Sequence, residues 1–166
     1  MRYNTENIKI YILYTHMTDS DTWTFYIIYN QSATYAGMSN DYIQRLRKHN
    51  GEISGGAKYT TGRGPGWKHL CIVNGFQTKS QCLMFEWAVK HVAPRDAGGL
   101  KNRVKKLYAV LNKKNWTSKS PDASTVPLTL EWKIPFDFTG IERNVPAYVT
   151  DVDFCCEKSL LSSYNI

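Results

Sequence analysis

The sequence predicts an α+β fold of the broad α/β class: strands and helices succeed one another around one core, with a further helix and strand toward the C-terminus. Three observations carry this. Runs dense in β-branched and aromatic residues alternate with segments of helical periodicity. Glycine and proline clusters punctuate them. A chain of 166 residues, 42% apolar and 13% aromatic, suffices for one compact core with a modest extension.

In chain order, residues 8–14 and 23–29 read as strands, each bounded by polar turns, and residues 34–38 form a third that pairs with the second as a hairpin. A helix follows. Ser39 or Asn40 is placed to cap it, Asp41 suits its first turn, and Tyr42, Ile43 and Leu46 give it an apolar side up to Asn50-Gly51. Residues 51–66 hold seven glycines and prolines among Lys58, Tyr59 and Arg63 and read as a flexible basic loop. Residues 67–73 return as a strand. A second helix spans about 79–92 and ends before Pro94. Residues 100–114 place Val104, Leu107, Tyr108 and Leu111 at helical spacing, residues 129–134 form a late strand, and the stretch after Gly140 carries no readable pattern. This divides the chain into an N-terminal strand extension (1–22), a core (23–93), a basic helix and strand completing the domain (94–136) and an acidic tail (137–166).

Neither a signal peptide nor a run of about eighteen apolar residues is evident, so the expectation is a soluble, intracellular protein without a membrane partner. Cys71, Cys82, Cys155 and Cys156 lack C-x-x-C spacing and read as reduced thiols. The net charge of +7 is unevenly spread. Nine basic residues from Lys90 to Lys119 face only Asp96, whereas five carboxylates after residue 136 face Arg143 and Lys158. A basic body of this kind suits a polyanion, because neutralising phosphates releases counterions; a solvated basic face is the plainer alternative. The asymmetry also suggests that the acidic tail competes with such a polyanion for the basic surface.

Glu86 is the least expected residue in its surroundings, lying in the apolar run Cys82-Leu83-Met84-Phe85-Glu86-Trp87-Ala88-Val89. A carboxylate there must be paired, protonated or metal-bound, and Lys90 at i+4 is the ordinary partner. Arg45 and His49, four apart, share one helix face, where a guanidinium can hold phosphate oxygens and an imidazole can move a proton. Tyr26 and Tyr35 fall on successive strands of the hairpin, and Gly37 allows close backbone approach.

Together, in this order and spacing, these residues resemble the GIY-YIG nuclease family. The likeness runs through Phe25-Tyr26-Ile27-Ile28-Tyr29, Tyr35-Ala36-Gly37, Arg45-Leu46-x-x-His49-Asn50, Ser54-Gly55-Gly56-Ala57-Lys58-Tyr59-Thr60, Gly62-Arg63-Gly64-Pro65, Gly75-Phe76 and Phe85-Glu86-Trp87, and is nearest the Slx-type branch that cuts branched DNA. Thr24 and Ala36 depart from the usual motif residues. The resemblance implies a small central antiparallel three-stranded sheet flanked by helices, and catalytic Tyr26, Tyr35, Arg45, His49 and Glu86, with Glu86 holding one Mg2+, for which Mn2+ substitutes. It leaves open which tyrosine is the base. It implies flaps, forks and junctions as substrates, in repair, recombination or replication, at the nucleus or a cytoplasmic site of DNA replication. Arg47, Lys48, Lys58, Tyr59, Arg63, Lys68, Lys101, Arg103, Lys105 and Lys106 are expected to contact DNA phosphates. The zinc module that docks a scaffold partner in cellular members of the branch is not expected, which leaves self-association open. A non-catalytic, structure-selective nucleic-acid-binding protein is the alternative.

Overall fold

The computed structural model describes residues 22–95 and 98–154. The expected strand at 8–14, Cys155 and Cys156 lie outside them. The β-rich runs form a hairpin of β1 (Trp23–Asn30) and β2 (Ala33–Ser39), antiparallel from Thr24↔Ser39 to Asn30↔Ala33. The turn is two residues long, and Gln31 takes a positive φ of 53° to close it.

Helix α1 (Tyr42–His49) follows. Its cap is Asp41, whose carboxylate accepts from the Gln44 backbone N–H at 2.8 Å; neither Ser39 nor Asn40 takes that position. The stretch expected to be an irregular flexible loop contains a one-turn helix, α2 (Lys58–Thr61). That stretch is also anchored. Asn50 Oδ1 accepts from the N–H groups of Gly66 and Trp67, Asn50 Nδ2 donates to the Trp67 carbonyl, and Trp67 Nε1 donates to the Thr60 carbonyl. Its two ends therefore meet, as in a packed Ω-loop.

β3 (Lys68–Phe76) returns antiparallel to β1, and α3 (Lys79–His91) is capped by Thr78. Then come α4 (Leu100–Leu111), β4 (Leu128–Trp132) antiparallel to β3, and β5 (Val149–Val152) parallel to β4. The sheet order is β2-β1-β3-β4-β5, so the sheet has five strands and mixed pairing where three antiparallel strands were expected. The fold class is as expected. The additional width comes from β4, expected as a late strand completing the domain but not counted in the central sheet, and from β5, which is too short and polar to register as a strand on its own.

Residues 137–154, within the segment expected as an acidic tail, pack on the domain and supply β5. Asp151 accepts from Tyr108 Oη at 2.7 Å, from Trp132 Nε1 at 3.0 Å and from Arg143 through two bonds of 2.8 Å. Asp153 pairs with Arg143 and Asp137 with Lys101. These three carboxylates are engaged by the fold's own side chains.

The sheet has two unlike faces. Phe25, Ile27, Leu70, Val73, Phe85, Leu107 and Trp116 belong to one extensive core beneath α3 and α4. Each fully buried side chain of this size contributes about 1.5–3 kcal/mol. Cys71 and Cys82 sit there as buried free thiols. On the other face Tyr26, Ile28, Trp67 and Ile72 form a small cluster with Tyr35, Tyr42 and Leu46. No helix among the described residues is long and apolar enough to cross a membrane.

Candidate active site

The hairpin register sets the site. Tyr26 lies opposite Gly37, and a Cβ at that position would stand 2.4 Å from the Tyr26 hydroxyl. The phenol therefore lies against the β2 backbone where only glycine leaves room, which gives the Tyr35-Ala36-Gly37 sequence its physical reason.

The i,i+4 spacing on α1 delivers Arg45 and His49 to this phenol. His49 is fully buried, and its Nε2 lies 2.9 Å from Tyr26 Oη. Its Nδ1 lies 2.8 Å from Thr60 Oγ1, which in turn donates to the Ala57 carbonyl at 2.9 Å. Arg45 donates to the Gly55 carbonyl at 2.8 Å, and its guanidinium interacts electrostatically with both Tyr26 and Tyr35. One guanidinium thus ties both strands of the hairpin to the Gly-rich loop.

Burial pushes the Tyr26 phenol well above its ordinary pKa; the Arg45 hydrogen bond opposes this, and the charges of Tyr35 and Glu86 reinforce it. Burial, then the Arg45 charge and His69, lower His49 to about 4. The resting pair is therefore a neutral phenol beside a neutral imidazole. Burial alone would lower Arg45, but its hydrogen bonds and charge interactions with the two tyrosines outweigh that and raise it.

Glu86 enters from α3 with a side chain only 12% exposed. The expected ordinary partner is in place: Lys90 Nζ donates to Glu86 Oε1. The same Nζ lies 5.4 Å from the centre of the Tyr35 ring, which places this ion pair on the tyrosine side of the hairpin. Tyr35 stands 4.9 Å from the His49 ring and 6.2 Å from Tyr59, and Arg63 covers Tyr59 at 3.7 Å. All five residues expected to be catalytic converge here.

The residues expected to bind DNA divide. Lys58, Tyr59, Arg63 and Lys68 are exposed at or beside the loop, and Lys48 is half-buried beneath it. Arg47 is exposed but paired with Glu52. The basic helix does not act as a block. Lys101 is held by Asp137 and the Thr139 carbonyl, Arg103 is half-buried against Thr34 Oγ1, and Lys105 is exposed. Lys106 is buried and donates to the Arg95 carbonyl, so it is no phosphate contact. Consecutive helical residues point in different directions, and a charge run cannot share one surface.

His69 was not singled out in the sequence. Its register partner is Ile28, and its ring packs edge-on at 6.0 Å from Tyr26 and 5.2 Å from Tyr42, with Nε2 buried and unpartnered. Burial, then Lys133, lower it to about 4. Only the pairing of β3 with β1 reveals it. Two cavities of about 460 and 310 Å³ lie elsewhere, beside Tyr108 and Trp132 respectively.

Residues 22–95 match the GIY-YIG catalytic domain family. The chain is 51% identical over 59 residues to the structure-specific endonuclease subunit slx1 of Schizosaccharomyces japonicus, covering 36% of this chain and 21% of that protein. Over 76 residues it is 43% identical to the structure-specific endonuclease subunit SLX1 homolog 1 of Trypanosoma cruzi, covering 46% and 14%. Over 108 residues it is 32% identical to the structure-specific endonuclease subunit slx1 of Aspergillus terreus, covering 60% and 28%. The chain therefore spans less than a third of the length of these relatives.

Proposed function

Because residues 22–95 carry a GIY-YIG catalytic domain similar to that of the SLX1 endonuclease subunits, we propose that this protein is a metal-dependent endonuclease that hydrolyses one strand of branched DNA. Flaps, forks and junctions are the substrate class, and repair, recombination or replication the setting, at the nucleus or a cytoplasmic site of DNA replication. The observation that carries the reading is the buried bond between Tyr26 and His49, with Arg45 bridging Tyr26 and Tyr35 above it.

Tyr26 is the better-placed base, because its phenol has a proton acceptor and can take a proton without becoming an isolated buried anion. As the attacking water oxygen bonds to phosphorus, its proton passes to Tyr26 Oη and the Tyr26 proton passes to His49 Nε2. The bond from phosphorus to the 3′ oxygen breaks, and its electron pair leaves on that oxygen. Arg45 pairs with phosphate oxygens and stabilises the charge that builds on them. Tyr35, more exposed and also held by Arg45, orients the phosphate. Burial holds His49 down most and the Arg45 charge adds to it; a bound phosphate offsets that second contribution, so substrate itself makes His49 a stronger acceptor.

The donor set fits one hard cation. Glu86 is a single, largely buried carboxylate whose Oε1 meets Lys90, leaving Oε2 without a hydrogen bond among the described residues. No group of three His, Cys, Asp or Glu able to hold a metal occurs among them. Mg2+ accepts one carboxylate, with waters and phosphate completing its shell, and Mn2+ substitutes. When bound, the ion supplies Lewis-acid stabilisation of the leaving oxygen.

The test is cleavage of end-labelled duplex, 5′-flap, three-way and four-way DNA with Mg2+, Mn2+ or chelator, using the wild type beside Glu86→Ala. Metal-dependent cutting of branched DNA that falls by about 10³-fold in the variant, with binding retained, is the expected result. Binding without cutting in the wild type overturns it in favour of the non-catalytic reading.

A further inference from the structure

Thr60 belongs to none of the expected catalytic positions, yet it is fully buried and bonded on both sides of its hydroxyl. It stands on α2, within a stretch whose composition suggests only a loop. Its carbonyl is gripped by Trp67 Nε1 at 3.2 Å, and Trp67 is gripped by Asn50, so main chain and side chain are both fixed.

The direction of every proton in this chain of contacts follows from donor counting. The other polar group acting on the Tyr26 hydroxyl is the Arg45 guanidinium, which can only donate. Tyr26 is buried, so its O–H is satisfied only by donating to His49 Nε2. Nε2 must then carry a lone pair, which puts the ring proton of neutral His49 on Nδ1. That proton faces Thr60 Oγ1 at 2.8 Å, and Oγ1 can accept it because its own proton goes to the Ala57 carbonyl at 2.9 Å. The opposite tautomer fails at both ends. It leaves the Tyr26 proton without an acceptor and takes the Thr60 proton from Ala57.

We propose that Thr60 is a positioning residue that holds His49 in the Nδ1–H tautomer, so that the Tyr26–His49 pair moves a proton from the phenol to the imidazole and not the reverse. Thr60 touches neither substrate nor metal; it acts through His49. The Gly-rich loop then has a second task besides meeting DNA, which is to deliver this hydroxyl beneath the imidazole. Gly56 serves that delivery, because a Cβ there would stand 2.3 Å from the Lys48 carbonyl at the end of α1. The proposal rests on the reading of Tyr26 and His49 as an acid–base pair.

The experiment uses the full chain in two arms. The first records two-bond 15N–1H correlations of the His49 ring without DNA, in the wild type, Thr60→Val and Thr60→Ser. The second measures kcat and KM on a flap substrate with Mg2+. The wild type and Thr60→Ser should show Nδ1–H. Thr60→Val, equal in size but unable to accept, should show a mixed or inverted tautomer, with kcat lowered by roughly 10–100-fold and KM unchanged. Thr60→Ser should stay within about twofold of wild type in kcat. A wild type in the Nε2–H form overturns the proposal whether or not any variant folds. So does a folded Thr60→Val with wild-type tautomer and wild-type kcat. A wild type that cuts nothing, while its tautomer still responds to Thr60, refutes the nuclease reading and leaves the positioning role standing.

Discussion

Neighbouring residues of β1 serve opposite purposes. Phe25 and Ile27 enter the large core with α3 and α4, where Phe25 meets Phe85 edge-on at 5.1 Å. Tyr26 and Ile28 point the other way, into a cluster of four buried residues, beside two imidazoles and a guanidinium. The difference shows how one strand can be both scaffold and site. Burial on the first face is non-directional and supplies most of the stability. On the second, each buried polar group is placed by a specific partner, which rigidifies the chemistry at the risk of a large penalty when one partner is lost.

If the two faces are separable, changes on them should have unlike signatures. The largest expected effect is Tyr26→Phe: about a 10³-fold fall in kcat, with a loss of about 1–3 kcal/mol because His49 Nε2 keeps its burial without its donor. Single-turnover cleavage and urea unfolding measure the two parts. A Tyr26→Phe enzyme that cuts normally would remove the tyrosine side from the chemistry.

Next is acid sensitivity. His49 ionises near 4 when folded against the ordinary 6.5, so between those values the unfolded chain binds more protons. Its stability contribution is present above pH 6.5 and is lost as pH falls toward 4, reaching about 3 kcal/mol there. Urea midpoints from pH 7 to 4 should fall less steeply in His49→Gln. An equal slope in both proteins would show that the buried imidazole is not the source.

A smaller effect is expected at the far edge of the sheet. Arg143→Ala leaves the partly buried Asp151 with only Tyr108 and Trp132 as donors, and should cost about 2 kcal/mol with cleavage per folded molecule unchanged. Altered cleavage would mean that the β5 edge and the site are coupled. The smallest effect separates exposed from committed lysines. Lys58→Ala should weaken DNA binding a few-fold and lower the salt slope by about one, whereas Lys101→Ala, whose ammonium is held by Asp137, should change the slope less.

Strands, helices and the residues of the candidate site were legible where local pattern suffices. β-branched and aromatic runs marked β1, β2 and β3, and helical periodicity marked α3 and α4. The i,i+4 spacing put Arg45 and His49 together, and the apolar surroundings of Glu86 marked it before any neighbour was known. Local pattern fails where a residue's role depends on a distant partner. β5 is a strand because β4 offers it an edge, and Asp151 is a structural carboxylate because Tyr108, Trp132 and Arg143 reach it from three other parts of the chain. Lys106 looked like its neighbours in a basic run and is buried because of the direction its helix position imposes.

The sequence by itself determined which groups are present and which share a helix face or a strand, because backbone periodicity is a local property. Tertiary structure alone decided that His69 joins the site through the β1–β3 register, that Gly37 makes room for the Tyr26 phenol, and that Thr60 meets His49. Proton direction in a buried hydrogen-bond chain depends on counting every donor and acceptor within reach, and those neighbours are brought together only when the chain folds.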